Sequence, residues 1–337
     1  MARPGPGFRS ARATLRYFPM LLTRRRLILG AAAAVPIGVL ALSRKETSMP
    51  TVTPEGPRRV REIERVVTAQ RTSDGAGVNL NRILGGRELP MLDPFLLLDE
   101  FQSDNPNDYM AGFPDHPHRG FETVTYMLHG AMEHRDSVGN HGRLGPGTAQ
   151  WMTAGRGIIH SEMPKQERGL MWGYQLWVNL PRKNKWRAPR YQDIPAEKIP
   201  ERDLDGAHLR VVAGNAAAST GPVQGIDVEP LFLDLALTKG ARFAHDLPAG
   251  HTAFVYIVEG ALRVGPSKRE LRRGQLAVLA PGESFEAHCD AEQGRGLLLA
   301  ARPLGEPVAR RGPFVMNTDD EIRQAFDDYR SGRLVGG

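Results

Sequence analysis

Cysteine is almost absent from this chain. Its 337 residues include a single one, Cys289, which excludes an internal disulfide and any zinc or redox motif built from paired thiolates. Long apolar runs are also scarce: the run between Thr23 and Ser43 has about sixteen residues, which is short for a membrane-spanning helix. Glycine and proline are plentiful, at 37 and 26, and favour many turns between short strands.

Acidic residues are missing from the first 45 positions, where nine residues are basic. The formal net charge is +6, but without those nine residues 44 − 9 = 35 basic residues face 38 acidic ones, a net of −3. The basic character therefore belongs to the N-terminal segment. The rest of the chain has no basic footprint for phosphate groups, and we expect no nucleic-acid binding.

The N-terminal segment has the pattern of an export signal. Arg24 and Arg25 precede the apolar run and resemble a twin-arginine signal, so residues 1–48 are predicted to be a leader and the protein periplasmic. Two alternatives stay open. An uncleaved leader would anchor the protein to a membrane, and a start at Met49 would leave it cytoplasmic.

Two pairs of potential metal ligands stand out in the sequence. His116 and His118 form an HxH pair, and His160 and Glu162 form an HxE pair. Residues two apart on a strand point to the same face, so each strand can present both of its ligands to one site. Imidazole and carboxylate ligands without thiolate suit Fe(II), Ni, Co, Mn, Cu or Zn, and predict a metal site without selecting the ion.

The amino-acid sequence of these segments resembles that of the pirins, a family of the cupin superfamily of small β-barrels. The resemblance is carried by DHPHRGFETVTYMLHG and TAGRGIIHSEMP, and near the end of the chain by GPFVMNTDDEI from Gly312. It runs from about Asp93 to about Arg330. It implies one divalent metal per chain, with Fe(II) favoured, and carries the ligand roles over to four residues: His116, His118, His160 and Glu162.

The carboxylate ligand has a rival. Many cupins take it from the first motif, where Glu122 lies four residues after His118 and faces the site if that strand is regular. The resemblance favours Glu162 and leaves Glu122 a supporting or packing role. Three further histidines, His129, His134 and His141, are predicted to be supporting, loop or surface residues.

The predicted fold is all-β, with two cupin domains of the β-barrel or jelly-roll type and a short C-terminal helix. The predicted divisions are a metal-binding domain at 60–195, a degenerate cupin at 196–317 and the helix at 318–331. In the second domain His245 and His251 form no ligand pair, so one site per chain is expected. Thr318 and Glu321 form a capping box that starts the helix.

The segment from Gly169 alternates as a strand does. Its aromatic face could line a pocket over the metal, but we favour core packing because small barrels are commonly filled by their own side chains. That face consists of Trp172, Tyr174, Leu176 and Val178.

The resemblance implies a metal-dependent dioxygenase that opens flavonols such as quercetin with O2. Glu162 is then the catalytic residue as well as a ligand, taking the proton of the substrate hydroxyl. The expected partners are a flavonol-like aromatic substrate and O2, and the expected state is a monomer. The alternatives are an iron-binding pirin that senses redox state or binds a protein partner without catalysis, and a pirin acting on another small substrate.

Overall fold

The computed structural model describes residues 58–335, and the predicted leader at 1–48 lies outside them. Short strands joined by glycine-rich turns make up most of this part of the chain, together with one helix and three short 3₁₀ turns at Pro106–Asp108, Arg182–Asn184 and Ala196–Lys198. The all-β prediction with a C-terminal helix is confirmed. In chain order the elements are β1 (Ile63–Thr68), β2 (Gln70–Asp74), β3 (Val78–Leu84), β4 (Phe95–Ser103), β5 (Phe113–His118), β6 (Phe121–His129), β7 (Met132–Asp136), β8 (His141–Leu144), β9 (Ala149–Thr153), β10 (Ile158–Pro164), β11 (Met171–Asn179), β12 (Arg190–Ile194), β13 (Glu201–Leu204), β14 (Ala207–Ala213), β15 (Asn215–Ala216), β16 (Ser219–Thr220), β17 (Leu231–Thr238), β18 (Arg242–Asp246), β19 (Thr252–Val264), β20 (Arg269–Arg272), β21 (Gln275–Leu279), β22 (Ser284–His288), β23 (Gln293–Ala301), β24 (Ala309–Arg311), β25 (Phe314–Met316) and α1 (Asp319–Arg330).

The N-terminal half is built from two sheets. One has the order β12-β9-β6-β11-β4-β3-β2 and the other β5-β10-β7-β8. Strands β4 and β6 are buried along almost their whole length, which explains why apolar residues occupy both faces of FLLLDEF and FETVTYML. The second sheet carries both predicted ligand pairs, on β5 and β10.

The C-terminal half is one large sheet with the main order β1-β21-β19-β23-β17-β14-β13, to which β18, β20 and β22 are attached. One hydrophobic core is shared by the two halves and joins Val124 and Leu176 to Phe254 and Leu297. A second core lies within the C-terminal half. None of the described helices is long and apolar enough to cross a membrane.

A buried carboxylate ties the halves together. Glu100 on β4 is 1% exposed and sits where β11 of its own half meets β19 of the other. Its donors are Asn81 Nδ2 (3.2 Å), Trp172 Nε1 (3.0 Å), Tyr174 Oη (2.9 Å), Tyr256 Oη (3.1 Å) and Arg273 Nη2 (3.3 Å). One carboxylate thus satisfies five buried or half-buried donors from both halves.

Each end of the described chain packs on the half at the opposite end of the sequence. Strand β1 pairs with β21, at the edge of the C-terminal sheet, although the sequence prediction placed it in the first domain at 60–195. In the other direction, β24, β25 and α1 pack on the N-terminal half. An edge strand has unpaired backbone groups that can bind another strand. Because this pairing joins distant parts of the chain, no local sequence pattern predicts it.

The C-terminal crossing is held by specific contacts. Val315 N donates to Arg119 O (3.0 Å), and Arg119 Nη1 pairs with Asp328 (2.8 Å). Lys185 Nζ is buried and donates to Gly120 O (2.7 Å) and Val315 O (3.0 Å). Gly120 has φ +89°, and a Cβ there would stand 1.9 Å from Val315 O, so only glycine lets the tail pass.

Helix α1 closes the fold. Its capping box is formed as predicted, with Glu321 N donating to Thr318 Oγ1 (3.2 Å) and the Glu321 carboxylate accepting from Thr318 N (3.0 Å). Ile322 and Ala325 are buried against Phe314 on β25, which fixes the helix to the tail of the chain.

Candidate metal centre

Three imidazoles meet where β5 and β10 pair. His160 on β10 lies directly opposite His116 on β5, and His118 follows two residues along the same face. The ring centroids are 4.4 Å apart for His116 and His160, 4.7 Å for His116 and His118, and 5.0 Å for His118 and His160. Within residues 58–335 this is the one group of three ligand-type side chains whose ligand atoms all lie within 4.8 Å of one another.

Two of the three rings are held as metal-binding imidazoles commonly are. His116 Nδ1 lies 2.8 Å from Pro114 O and His118 Nδ1 lies 3.4 Å from Pro313 O, which leaves Nε2 of both rings free to bind an ion. Burial is the main cause that lowers the pKa of His118 and of His160, so both rings are neutral and can donate a lone pair.

His160 provides the test of whether the residues fit a metal. It is 1% exposed, and neither of its ring nitrogens has a hydrogen-bond partner among the described residues. A buried polar ring without a partner costs about 1–3 kcal/mol. A divalent ion between the three rings would give one of the two nitrogens its partner, so the site fits a metal ion.

Glu162 stands at the wall of the same cavity. Its carboxylate accepts hydrogen bonds from Thr125 Oγ1 (2.8 Å) and Gln175 Nε2 (2.9 Å), and it is not part of the 4.8 Å group. The register of β10 against β5 shifts between His160 and Glu162, so the carboxylate is displaced from the imidazoles. The sequence analysis missed both residues that hold it, Thr125 and Gln175.

Glu122 points elsewhere. Strand β5 ends at His118 and Gly120 follows with a positive φ, so Glu122 lies on a separate strand, β6, and the assumption of one regular strand is wrong. Its carboxylate is 1% exposed and accepts from Trp151 Nε1 (3.1 Å) and Thr153 Oγ1 (2.6 Å), away from the cavity residues. These contacts agree with the packing role that the sequence analysis favoured.

The burial of Glu122 predicts a pH-dependent stability. Desolvation raises the pKa of its carboxyl to about 7 from 4.5, so its contribution is complete below about pH 4.5 and is lost as the pH rises through about 7. Glu122→Gln stays neutral throughout. Between about pH 5 and about pH 8, wild type should lose about 2–3 kcal/mol relative to Glu122→Gln in urea unfolding. Parallel pH profiles of the two proteins would contradict this prediction.

The other histidines of this half take different places. His129 and His141 are exposed. His134 is 1% exposed, directly opposite Glu162 on β7, with its ring stacked on Tyr191 and its Nε2 3.5 Å from Asp193. His134 is thus a buried neighbour of the site and not a member of the imidazole group.

His116 and His118 open into a cavity of about 620 Å³. Gln175 and Trp177 line it from β11, while the opposite face of the same strand, from Trp172 to Val178, packs into the shared core, which confirms the core-packing interpretation. The sequence analysis overlooked the cavity-facing side. Further walls come from Leu80, Leu97, Phe101, Phe113, Arg310 and Pro313.

The second half is filled by apolar side chains. On the paired strands β18 and β22, the buried apolar residues are Phe243, Phe285 and Ala287, which belong to the core of this half. Among the described residues of this half, no three ligand-type side chains come together as the imidazoles do.

Comparison with known proteins identifies both halves. Residues 77–178 match the model of the Pirin family, and residues 232–335 match the Pirin C-terminal cupin domain. The prediction that the fold contains two cupin domains is thereby confirmed.

Individual relatives cover most of the chain. A Pseudomonas aeruginosa protein provisionally named quercetin 2,3-dioxygenase is 50% identical over 284 residues, which are 82% of this chain and 99% of the relative. A pirin-like protein of Caulobacter vibrioides is 48% identical over 277 residues, 82% of this chain and 99% of the relative. A crystal structure of quercetin 2,3-dioxygenase from Acinetobacter baumannii superimposes with a TM-score of 0.76 at 36% identity, covering 82% of this chain and 99% of that one.

Proposed function

Because this chain belongs to the pirin family, we propose that it is a metal-dependent dioxygenase that opens flavonols such as quercetin with O2. The observation that carries the proposal is the juxtaposition of three clustered imidazoles, two of them buried and neutral, with a carboxylate at the wall of the adjoining cavity. The names of the Pseudomonas and Acinetobacter relatives support it.

His116, His118 and His160 would hold the metal, with Glu162 as the fourth ligand. A bound divalent ion would supply Lewis-acid chemistry at a substrate oxygen and redox chemistry toward O2. Fe(II) is the ion we favour, while Ni, Co, Mn, Cu and Zn suit the same donor set.

Residues of the chain itself would supply the base and the substrate-binding surface. Glu162 takes the proton of the substrate hydroxyl at one carboxylate oxygen, while Thr125 and Gln175 hold the group in position. Phe113 and Trp177 provide apolar surface for a planar ring and keep water away from it. The place of Glu162 in the cavity wall brings its carboxylate within reach of a bound substrate.

Oxygen uptake tests the proposal. Protein lacking residues 1–48 and loaded separately with Fe(II), Ni, Co, Mn or Cu should consume O2 on addition of quercetin. Glu162→Gln should reduce the rate by at least about a hundredfold, because general base catalysis contributes about 10²–10⁴-fold. Glu122→Gln is the matched control and should keep the rate within about twofold.

A failure of this test has a definite meaning. No uptake with any of the five ions, despite one ion bound per chain, would contradict the flavonol dioxygenase. This result would favour a redox-sensing or partner-binding pirin, or a pirin that acts on another small substrate. Equal loss of activity in Glu122→Gln and Glu162→Gln would contradict the assigned base.

We also propose, from the leader sequence alone, that the protein is exported by the twin-arginine route and acts in the periplasm. This route carries folded proteins, so a metal could be loaded before export. Cytoplasmic regulators would then be unable to reach it. A full-length chain found only in the cytoplasm would contradict the export proposal.

A further inference from the structure

Arg310 brings a cation from the C-terminal tail into the wall of the metal cavity. It lies on β24, and its neighbours Gly312 and Pro313 line the cavity beside it. The guanidinium carbon stands 4.8 Å from the ring centroid of Trp177, and Nη1 donates to Leu96 O (2.9 Å). The side chain is therefore held in place by a stacking contact and one hydrogen bond.

Arg310 has hydrogen-bond donors that are not used within the described chain. Its Nε and Nη2 have no hydrogen-bond acceptor, and its guanidinium no ion-pair partner, among residues 58–335. The nearby carboxylate of Asp99 is already taken, because Arg82 binds both of its oxygens, at 2.9 and 2.7 Å. Arg82 and Arg310 are the cavity's two cationic side chains in the described part of the chain, and only Arg310 is uncommitted.

The position of Arg310 relative to the imidazoles limits the ligand. Trp177 lies 5.2 Å from the His118 ring, centroid to centroid, and under the guanidinium of Arg310. The indole thus spans the space between the metal site and the cation. A flat ring system of two or three fused or linked rings could reach from one to the other.

We propose that Arg310 and Trp177 recognise an aromatic oxyanion, such as a phenolate, at the end of the substrate remote from the metal. This inference rests on the proposed function and names the substrate class of the same site. The cavity is also lined by acidic side chains that would repel an anion: Asp74, Asp99, Asp115 and Glu162. Binding of an anionic ligand therefore depends on a cation that is free to pair with the ligand.

Arginine suits this place better than lysine. Its planar guanidinium stacks on an indole and still offers hydrogen bonds in its own plane. Lysine keeps the charge but loses the planar fork. A charged hydrogen bond to a ligand is worth roughly a tenfold to hundredfold difference in binding.

Binding to zinc-loaded protein tests the inference without turnover. The probes are quercetin, which carries ring hydroxyls beyond the flavonol core, and 3-hydroxyflavone, which has that core alone. Tryptophan fluorescence gives Kd for both at about pH 8. Arg310→Met should raise the Kd of quercetin about tenfold to a hundredfold and leave that of 3-hydroxyflavone within about twofold.

The unchanged 3-hydroxyflavone value shows that the variant is folded with its cavity intact. Arg311→Met is the matched control: Arg311 is exposed and does not line the cavity, so both constants should stay as in wild type. Arg310→Lys should recover part of the quercetin affinity.

Three outcomes would overturn the inference: unchanged quercetin affinity in Arg310→Met, equal weakening of both probes, or no quercetin binding to wild type. The proposed oxidation fails separately, when wild type binds quercetin through Arg310 but consumes no oxygen with any metal.

Discussion

Replacing His160 with alanine is expected to abolish stoichiometric metal binding and, with it, quercetin-dependent oxygen uptake. Nothing else in the described chain can take its place, because the three imidazoles are the one such group there. Changes in residues that only support metal ligands cost about 10–100-fold in affinity, so loss of a ligand should cost more than about a hundredfold. Metal content per chain, measured after gel filtration, checks this.

The size of the effect follows from the position of the ring. His160 is opposite His116 at the centre of the β5 and β10 pairing, and its buried nitrogens have no other partner among the described residues. Alanine also removes a buried ring that has no hydrogen-bond partner. Without metal, the variant should therefore be at most about 1–2 kcal/mol less stable than wild type.

The exposed His141 on β8 gives the control. His141→Ala removes an imidazole from the same sheet without touching the group, and should keep one metal ion per chain. Retention of full metal content by His160→Ala would refute the three-imidazole site. Loss of metal from both variants would point to a general effect of removing histidine.

Replacing Glu100 with alanine is expected to destabilise the protein by roughly 3–5 kcal/mol. The change leaves five donors without their acceptor, among them the buried groups of Trp172, Tyr174 and Tyr256, and removes the partner of Arg273. Since Tyr256 belongs to the other half, the loss also loosens the contact between the halves. Urea unfolding followed by far-ultraviolet circular dichroism measures the free energy.

Two further variants make this prediction sharp. Tyr256→Phe removes a single hydrogen bond to the same carboxylate and should cost about 1 kcal/mol. Glu167→Ala changes an exposed glutamate and should stay within about 0.5 kcal/mol of wild type. A loss below about 1 kcal/mol in Glu100→Ala would show that water replaces the carboxylate, and would contradict its role as the tie between the halves.

Local patterns in the sequence predicted the features that depend on neighbouring residues. The i, i+2 spacing placed His116 with His118 on one strand face, and the capping box predicted the start of α1. Alternation along β11 assigned Trp172 and Tyr174 to the core. Each of these predictions needs only the geometry of one strand or one helix end.

Features that depend on distant parts of the chain were not predictable in the same way. The alternative that Glu122 faces the site needed a regular strand through Gly120, and that strand is interrupted at Gly120, where the tail passes so closely that a Cβ would stand 1.9 Å from Val315 O. The pairing of β1 with β21 and the entry of Arg310 into the cavity join residues more than two hundred positions apart. No pattern within one segment encodes such a meeting.

The passage of the tail across the first half has a consequence for how the protein is made. Pro313, whose carbonyl lies 3.4 Å from His118 Nδ1, leaves the ribosome some two hundred residues after the ligand strand β5. The first half can collapse earlier during synthesis, but its metal cavity lacks a wall until Pro313 has been made. A nascent chain that ends before Pro313 therefore cannot close the cavity around an ion.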